Sequence, residues 1–192
     1  MYTVNVSVQG TAPLLQHRFP MPDPGDSAKG ATLKSGSPDY TQEWRSYFYA
    51  TADGEIYQPS THFEGALVGA AVNYKIQGRR GKTYKDLFRA AVFVSPEQIK
   101  FGINVPDELT TDADQPLYID MRPVVVNRAR VVRSRPAFKP GWQLEFEIEV
   151  LDDQIHPELL HDILTMAGKT VGVGDNRPKF GRFMVTEFKV NQ

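Results

Sequence analysis

From Trp142 to Val150 apolar and polar residues alternate without a break: Trp142, Leu144, Phe146, Ile148 and Val150 against Gln143, Glu145, Glu147 and Glu149. A period of two puts successive side chains on opposite faces of a strand, so this segment buries one face and leaves a row of glutamates in water. A fold that holds it needs a packed layer on one side of a sheet and solvent on the other. Residues 2–9 carry the same signal, with Tyr2, Val4, Val6 and Val8 set against Thr3, Asn5, Ser7 and Gln9.

Two helices are predicted beside these strands. Over 60–75, Phe63, Leu67, Ala70, Ala71 and Tyr74 recur at helical spacing, and Thr61 with Glu64 has the spacing of a capping box. Gly65, Ala66, Gly69, Ala70 and Ala71 make that helix thin enough to lie close on a sheet. Over 156–168, Leu160, Ile163, Leu164 and Ala167 form a second stripe, with Pro157 suited to the first turn and Gly168 to the stop. Pro123–Arg133 and 182–190 read as further strands, 83–91 as a shorter helix and 45–50 as a short strand. Asp53-Gly54 reads as a hairpin turn. The resulting order is strand, helix, strand, strand, helix, strand. It predicts an α+β chain with a ferredoxin-like, RNA-recognition-motif-like βαββαβ core. The whole of 1–192 is then a single domain with long insertions at about 11–58 and 77–121.

Composition narrows the function classes. Apolar residues make up 41% of the 192, enough for a packed core. No run approaches the ~20 apolar residues of a membrane span. The segment MYTVNVSVQG has no signal-peptide pattern, and the absence of cysteine suits a reducing compartment, so a cytoplasmic protein without membrane partners is expected. The net charge of -1 conceals segregation. Lys75, Arg79, Arg80, Lys82, Lys85 and Arg89 face a single acid, Asp86, while 122–139 carries cations and no acid. Residues 107–120 are acidic instead.

The richest candidate for binding chemistry is Gly172–Phe183. Gly172, Gly174 and Gly181 surround Asn176, Arg177, Lys179 and Arg182. Glycines allow backbone amides to approach a phosphate, and the cations supply charge. A glycine-rich turn with solvated charges is the plain alternative. Arg128, Arg130, Arg133 and Arg135 form a second candidate, a basic strand able to track a polyanion backbone, or else to pair with glutamates of the neighbouring strand. Trp44, Tyr47, Phe48 and Tyr49 suit either base stacking or a core. His17, His62, His156 and His161 have no metal-ligand spacing, and no cofactor or nucleotide motif is present. His17, Asp23 and Asp26, in the segment after the first strand, are the residues a catalytic reading would use.

Two of these segments resemble the RAMP superfamily, the repeat-associated proteins that form backbone subunits of CRISPR effector complexes. Ile56-Tyr57-Gln58-Pro59-Ser60-Thr61-His62-Phe63-Glu64-Gly65-Ala66-Leu67 is similar to its helix-entry signature I-P-G-S-S-L-K-G-x-L-R. Gly172–Phe183 is similar to its glycine-rich loop G-x-x-R-G-x-G-R. The resemblance implies a non-catalytic protein that holds single-stranded RNA or DNA, assembled as a homo-oligomer or filament or with other effector-complex subunits. It carries over Ser60 at the helix start and Gly172, Gly174, Arg177, Gly181 and Arg182 in the loop. Glu64 stands where the family has lysine, Val68 where arginine is common, and Pro59-Ser60-Thr61 where Gly-Ser-Ser is usual. The chain is short for a backbone subunit, which fits a stand-alone or virus-encoded relative. Two other classes stay open: a metal-assisted endoribonuclease using Asp23 or Asp26, and a structural subunit assembled by its segregated charge without nucleic acid.

Overall fold

The computed structural model describes residues 1–19, 43–126 and 128–191. A four-stranded antiparallel sheet is built from β1 (Tyr2–Gly10), β4 (Val92–Ser95), β8 (Gln143–Val150) and β9 (Phe183–Asn191), in the order β4-β8-β1-β9. Helices α1 (Ser60–Ala71) and α3 (Pro157–Thr170) complete the series β1-α1-β4-β8-α3-β9, and the strand order is that of the ferredoxin-like α+β fold. The apolar faces of β1 and β8 pack against one side of both helices. Val4, Val6, Val8, Leu144, Phe146 and Ile148 share a buried cluster with Phe63, Leu67, Leu160, Ile163 and Leu164. Phe63 lies at the centre, its ring 4.4 Å from Phe146 and 5.5 Å from Phe183.

The second core strand is not where periodicity placed it. Pro123–Arg133 is no single strand, because it spans the tip of a hairpin between β6 (Leu117–Val126) and β7 (Ala129–Phe138). Arg128 sits in that turn with φ of 67°. The true second strand is Val92–Ser95, reached through the short helix α2 (Lys85–Ala91) and paired with Ile148 and its neighbours. The hairpin β6–β7 belongs to a separate three-stranded sheet with β2 (Leu14–Leu15). A further pair joins β3 (Glu55–Pro59) to β5 (Gln98–Asn104).

Three smaller expectations also change. The expected strand at 45–50 is a 3-10 helix over Glu43–Tyr47, which buries Trp44 and Tyr47. The capping box does not form, since Pro59 precedes the first turn without a side-chain cap. Glu64 instead accepts the amide of Val94 at 3.0 Å, tying the sheet's edge strand to the helix. Gly168 does not stop α3. A Cβ there would lie 2.3 Å from the Phe183 carbonyl oxygen, so it is the contact point between helix and last strand. Gly172 ends the helix, its φ of 74° letting its amide donate back to Ala167 at 2.9 Å.

Candidate nucleic-acid interface

The glycine-rich loop runs from the end of α3 to the start of β9 and is fastened to the segment after β1. Asp175 donates its amide to the Leu15 carbonyl (2.9 Å), Gly181 to Pro13 (2.7 Å) and Thr11 to Arg182 (2.8 Å). Across the loop, Val173 donates to Gly181 (2.9 Å). The glycines make this stitching possible. A Cβ at Gly181, where φ is 72°, would fall 1.7 Å from the Val173 oxygen, and one at Gly174 would fall 2.5 Å from that of Leu15. The amides of Gly172, Val173, Asp175 and Gly181 are therefore engaged within the protein. What the loop presents outward is its side chains: Asn176, Arg177, Lys179 and Arg182 are all exposed. Phe180 is buried beneath them, with Arg122 4.5 Å over its ring.

Charged and polar groups under the loop hold it in place. Asp175 Oδ2 lies 3.0 Å from Arg135 Nε and 3.4 Å from His17 Nδ1. The contact with His17, with help from Arg135, holds the Asp175 carboxyl below the usual carboxylate range despite partial burial. Next to it Arg133 pairs with Glu43, which also accepts from Tyr47 at 2.5 Å. Burial, with Glu43 adding to it, pushes the Tyr47 hydroxyl up to about 12. His17 stacks edgewise on Tyr47, the rings 4.2 Å apart, so it is built into this cluster.

A second cluster links the loop to α1. The buried amide of Gln16 donates to Tyr57 O (2.8 Å) and to Gln58 Oε1 (3.1 Å), and its oxygen accepts from the Tyr49 amide (3.1 Å). With its oxygen thus occupied, Gln58 turns its amide nitrogen toward His62 Nδ1, 2.5 Å away. His62 must then be neutral. Burial, with the nearby Arg177 cation adding to it, lowers its pKa to about 4.

Beside these clusters is an open cleft of about 630 Å³, with Gly65 and Gly69 of α1 on one side and Gly174, Asn176 and Arg177 on the other. Gly65 has nothing within 4 Å of where a Cβ would stand, so the helix wall is bare backbone.

The residues singled out in the sequence divide accordingly. Arg177, Lys179, Arg182 and Asn176 stand outward on one loop, whereas Ser60 is buried at the start of α1 and donates its amide to Glu97 O. The arginines of 128–135 do not share a face. Arg128 is in the turn, Arg130 is exposed, and the alternation of β7 sends Arg133 and Arg135 to the opposite side, against Glu43 and Asp175. Pairing with the glutamates of β8 does not occur among the described residues, since β7 and β8 lie in different sheets. Trp44, Tyr47 and Phe48 are core, and Tyr49 is partly buried. Asp23 and Asp26 lie outside the described residues. Among those described, no cluster of histidine and carboxylates could hold a metal, and no helix is long and apolar enough to cross a membrane. The contribution of Asp175 and Glu43 was not legible in the sequence, because each is distant along the chain from the arginine it meets.

No protein-family model matches the chain, and no curated protein matches it in sequence. Among solved structures it is similar to a chain in the cryo-EM structure of the Type III-B Cmr-beta bound to cognate target RNA. The TM-score is 0.52 at 12% sequence identity. The match covers 100% of this chain and spans 61% of the length of the other. At that identity the likeness is one of fold alone.

Proposed function

We propose that this chain binds single-stranded nucleic acid through the exposed face of the glycine-rich loop and holds its phosphates without catalysis. The observation that carries the reading is that loop: Arg177, Lys179 and Arg182 project from a backbone stitched to the β1–β2 segment, beside an open cleft walled by glycine backbone. Cations on an anchored loop lose little freedom when they meet a phosphate, so more of the interaction energy appears as affinity. The fold likeness to a chain of an RNA-bound assembly supports the same reading, as does the sequence resemblance to RAMP subunits. On this reading, RNA or single-stranded DNA is the partner, and assembly with copies of itself or with other effector-complex subunits is what the resemblance implies. Arg135 and Asp175 act as positioning residues beneath the loop.

The test is a triple variant, Arg177→Ala/Lys179→Ala/Arg182→Ala, assayed by fluorescence anisotropy with labelled single-stranded RNA and matched DNA. All three side chains are exposed, so the melting temperature should stay within about a degree or two. Binding should weaken at least tenfold, and the slope of log K on log salt should flatten by about 2, from ~0.7 per lost phosphate contact. Wild-type affinity and slope in the folded variant would refute the assignment.

A further inference from the structure

The turn joining α1 to α2, with the start of α2, carries six cations between Lys75 and Arg89. Lys75, Arg79, Arg80, Lys82, Lys85 and Arg89 are all exposed, and none forms an ion pair with a described carboxylate. Three arginines elsewhere differ, since Arg122, Arg133 and Arg135 each face Asp120, Glu43 or Asp175. Placing six cations in fifteen residues, with Asp86 the single acid among them, raises the self-repulsion of the folded state.

The turn is nevertheless well built. Lys75 bridges Thr83, Tyr84 donates to Tyr74 O (3.0 Å), and Ile76 donates to Lys82 O (3.0 Å). Inner bonds run from Arg79 to Ile76 (3.2 Å) and from Lys82 to Arg79 (3.1 Å), with Gly78 and Gly81 both at φ of 76°. This backbone fixes where Arg79, Arg80 and Lys82 emerge.

Its position relates it to the loop. Gly69 meets Val171 near the end of α3, whereas Tyr74, beyond the end of α1, reaches the Asp162 carbonyl in the first half of α3. The two helices thus run antiparallel. The glycine-rich loop sits along the body of α1, and the basic turn lies beyond its C-terminal end. From Gly65 to the end of α1 at Ala71 the helix spans about 9 Å, at 1.5 Å per residue, and the turn lies beyond it. Between loop and turn, Gly65 and Gly69 of α1 and Val72 just after it are exposed, a low wall for a chain passing along it.

We propose that the α1–α2 turn is a second phosphate-holding surface, and that one nucleic-acid strand runs along α1 from Arg177 to Arg79, Arg80 and Lys82. This rests on the reading of the loop given above, and it predicts a dependence on strand length that the loop alone would not give. The test compares wild type, the loop triple variant and Arg79→Gln/Arg80→Gln/Lys82→Gln. Each is titrated with labelled single-stranded RNA of about 4 and about 15 nucleotides, lengths within the range that single-strand sites take. The turn variant should bind the long strand about tenfold more weakly, with a salt slope flatter by about 2. Binding of the short strand should be unchanged, because it reaches the loop alone. A turn variant that binds the long strand like wild type overturns the proposal. If the loop variant loses binding in that experiment, the reading of the loop stands while this one falls. If wild type binds neither length, both fall.

Discussion

At the residue scale, the polar cluster beneath the loop ties protonation to stability. Gln58 Nε2 is a donor aimed at His62 Nδ1, so a proton on that nitrogen would set donor against donor. The folded pKa of His62, about 4, is below its unfolded value of 6.5. The unfolded chain therefore takes up the proton first as pH falls. The stabilisation is complete above about pH 6.5, declines through that window and is gone near pH 4. The full decline is on the order of 3 kcal/mol at most, since each unit of pKa is worth about 1.4. The Asp175 carboxyl, held down chiefly by His17, adds its own loss only at lower pH, below the ordinary carboxylate value of 3.8. Urea unfolding from pH 7 to 4 should show falling stability in wild type. His62→Gln should flatten that fall, and an unchanged profile would place the titration elsewhere.

At the element scale, glycines that look alike in sequence do opposite work. Gly181→Ala forces a Cβ to within 1.7 Å of the Val173 carbonyl oxygen at a φ of 72°, so the two arms of the loop must part. A loss of at least ~3 kcal/mol is expected, beyond an ordinary surface substitution. Gly65→Ala adds a methyl group to open space on α1 and should stabilise by about 0.5–1 kcal/mol. Thermal unfolding of the two variants checks both signs. The same scale explains what could be read in advance. β1 and β8 and the stripes of α1 and α3 are long enough for periodicity to show, and they were legible. Val92–Ser95 is too short for it. The hairpin tip gave no warning either, because Arg128 takes the left-handed conformation that a glycine would have announced. The loop was legible by composition as a glycine-rich segment with exposed cations. The separation of outward Arg177, Lys179 and Arg182 from inward Arg133 and Arg135 was not, since it depends on partners brought together only by folding.

At the scale of the whole molecule, charge decides where a strand can lie. The sheet face opposite the helices is the surface on which RNA-recognition motifs stack bases. Here it carries Glu145, Glu147 and Glu149 on β8 and Glu187 on β9, against Lys189, with Phe93 as its exposed ring. That face repels a polyanion and offers little to stack on. Exposed cations without an ion pair among the described residues stand instead on the glycine-rich loop and the α1–α2 turn. A nearly neutral chain thus segregates its charge. The most direct measurement of this account is equilibrium binding of wild-type protein to labelled single-stranded RNA and DNA across a salt series. The account predicts measurable binding at low salt that falls linearly in log–log form, with a slope of about −2 to −4 for three to six phosphate contacts. Absence of binding to both strands at low salt, or binding indifferent to salt, would contradict it.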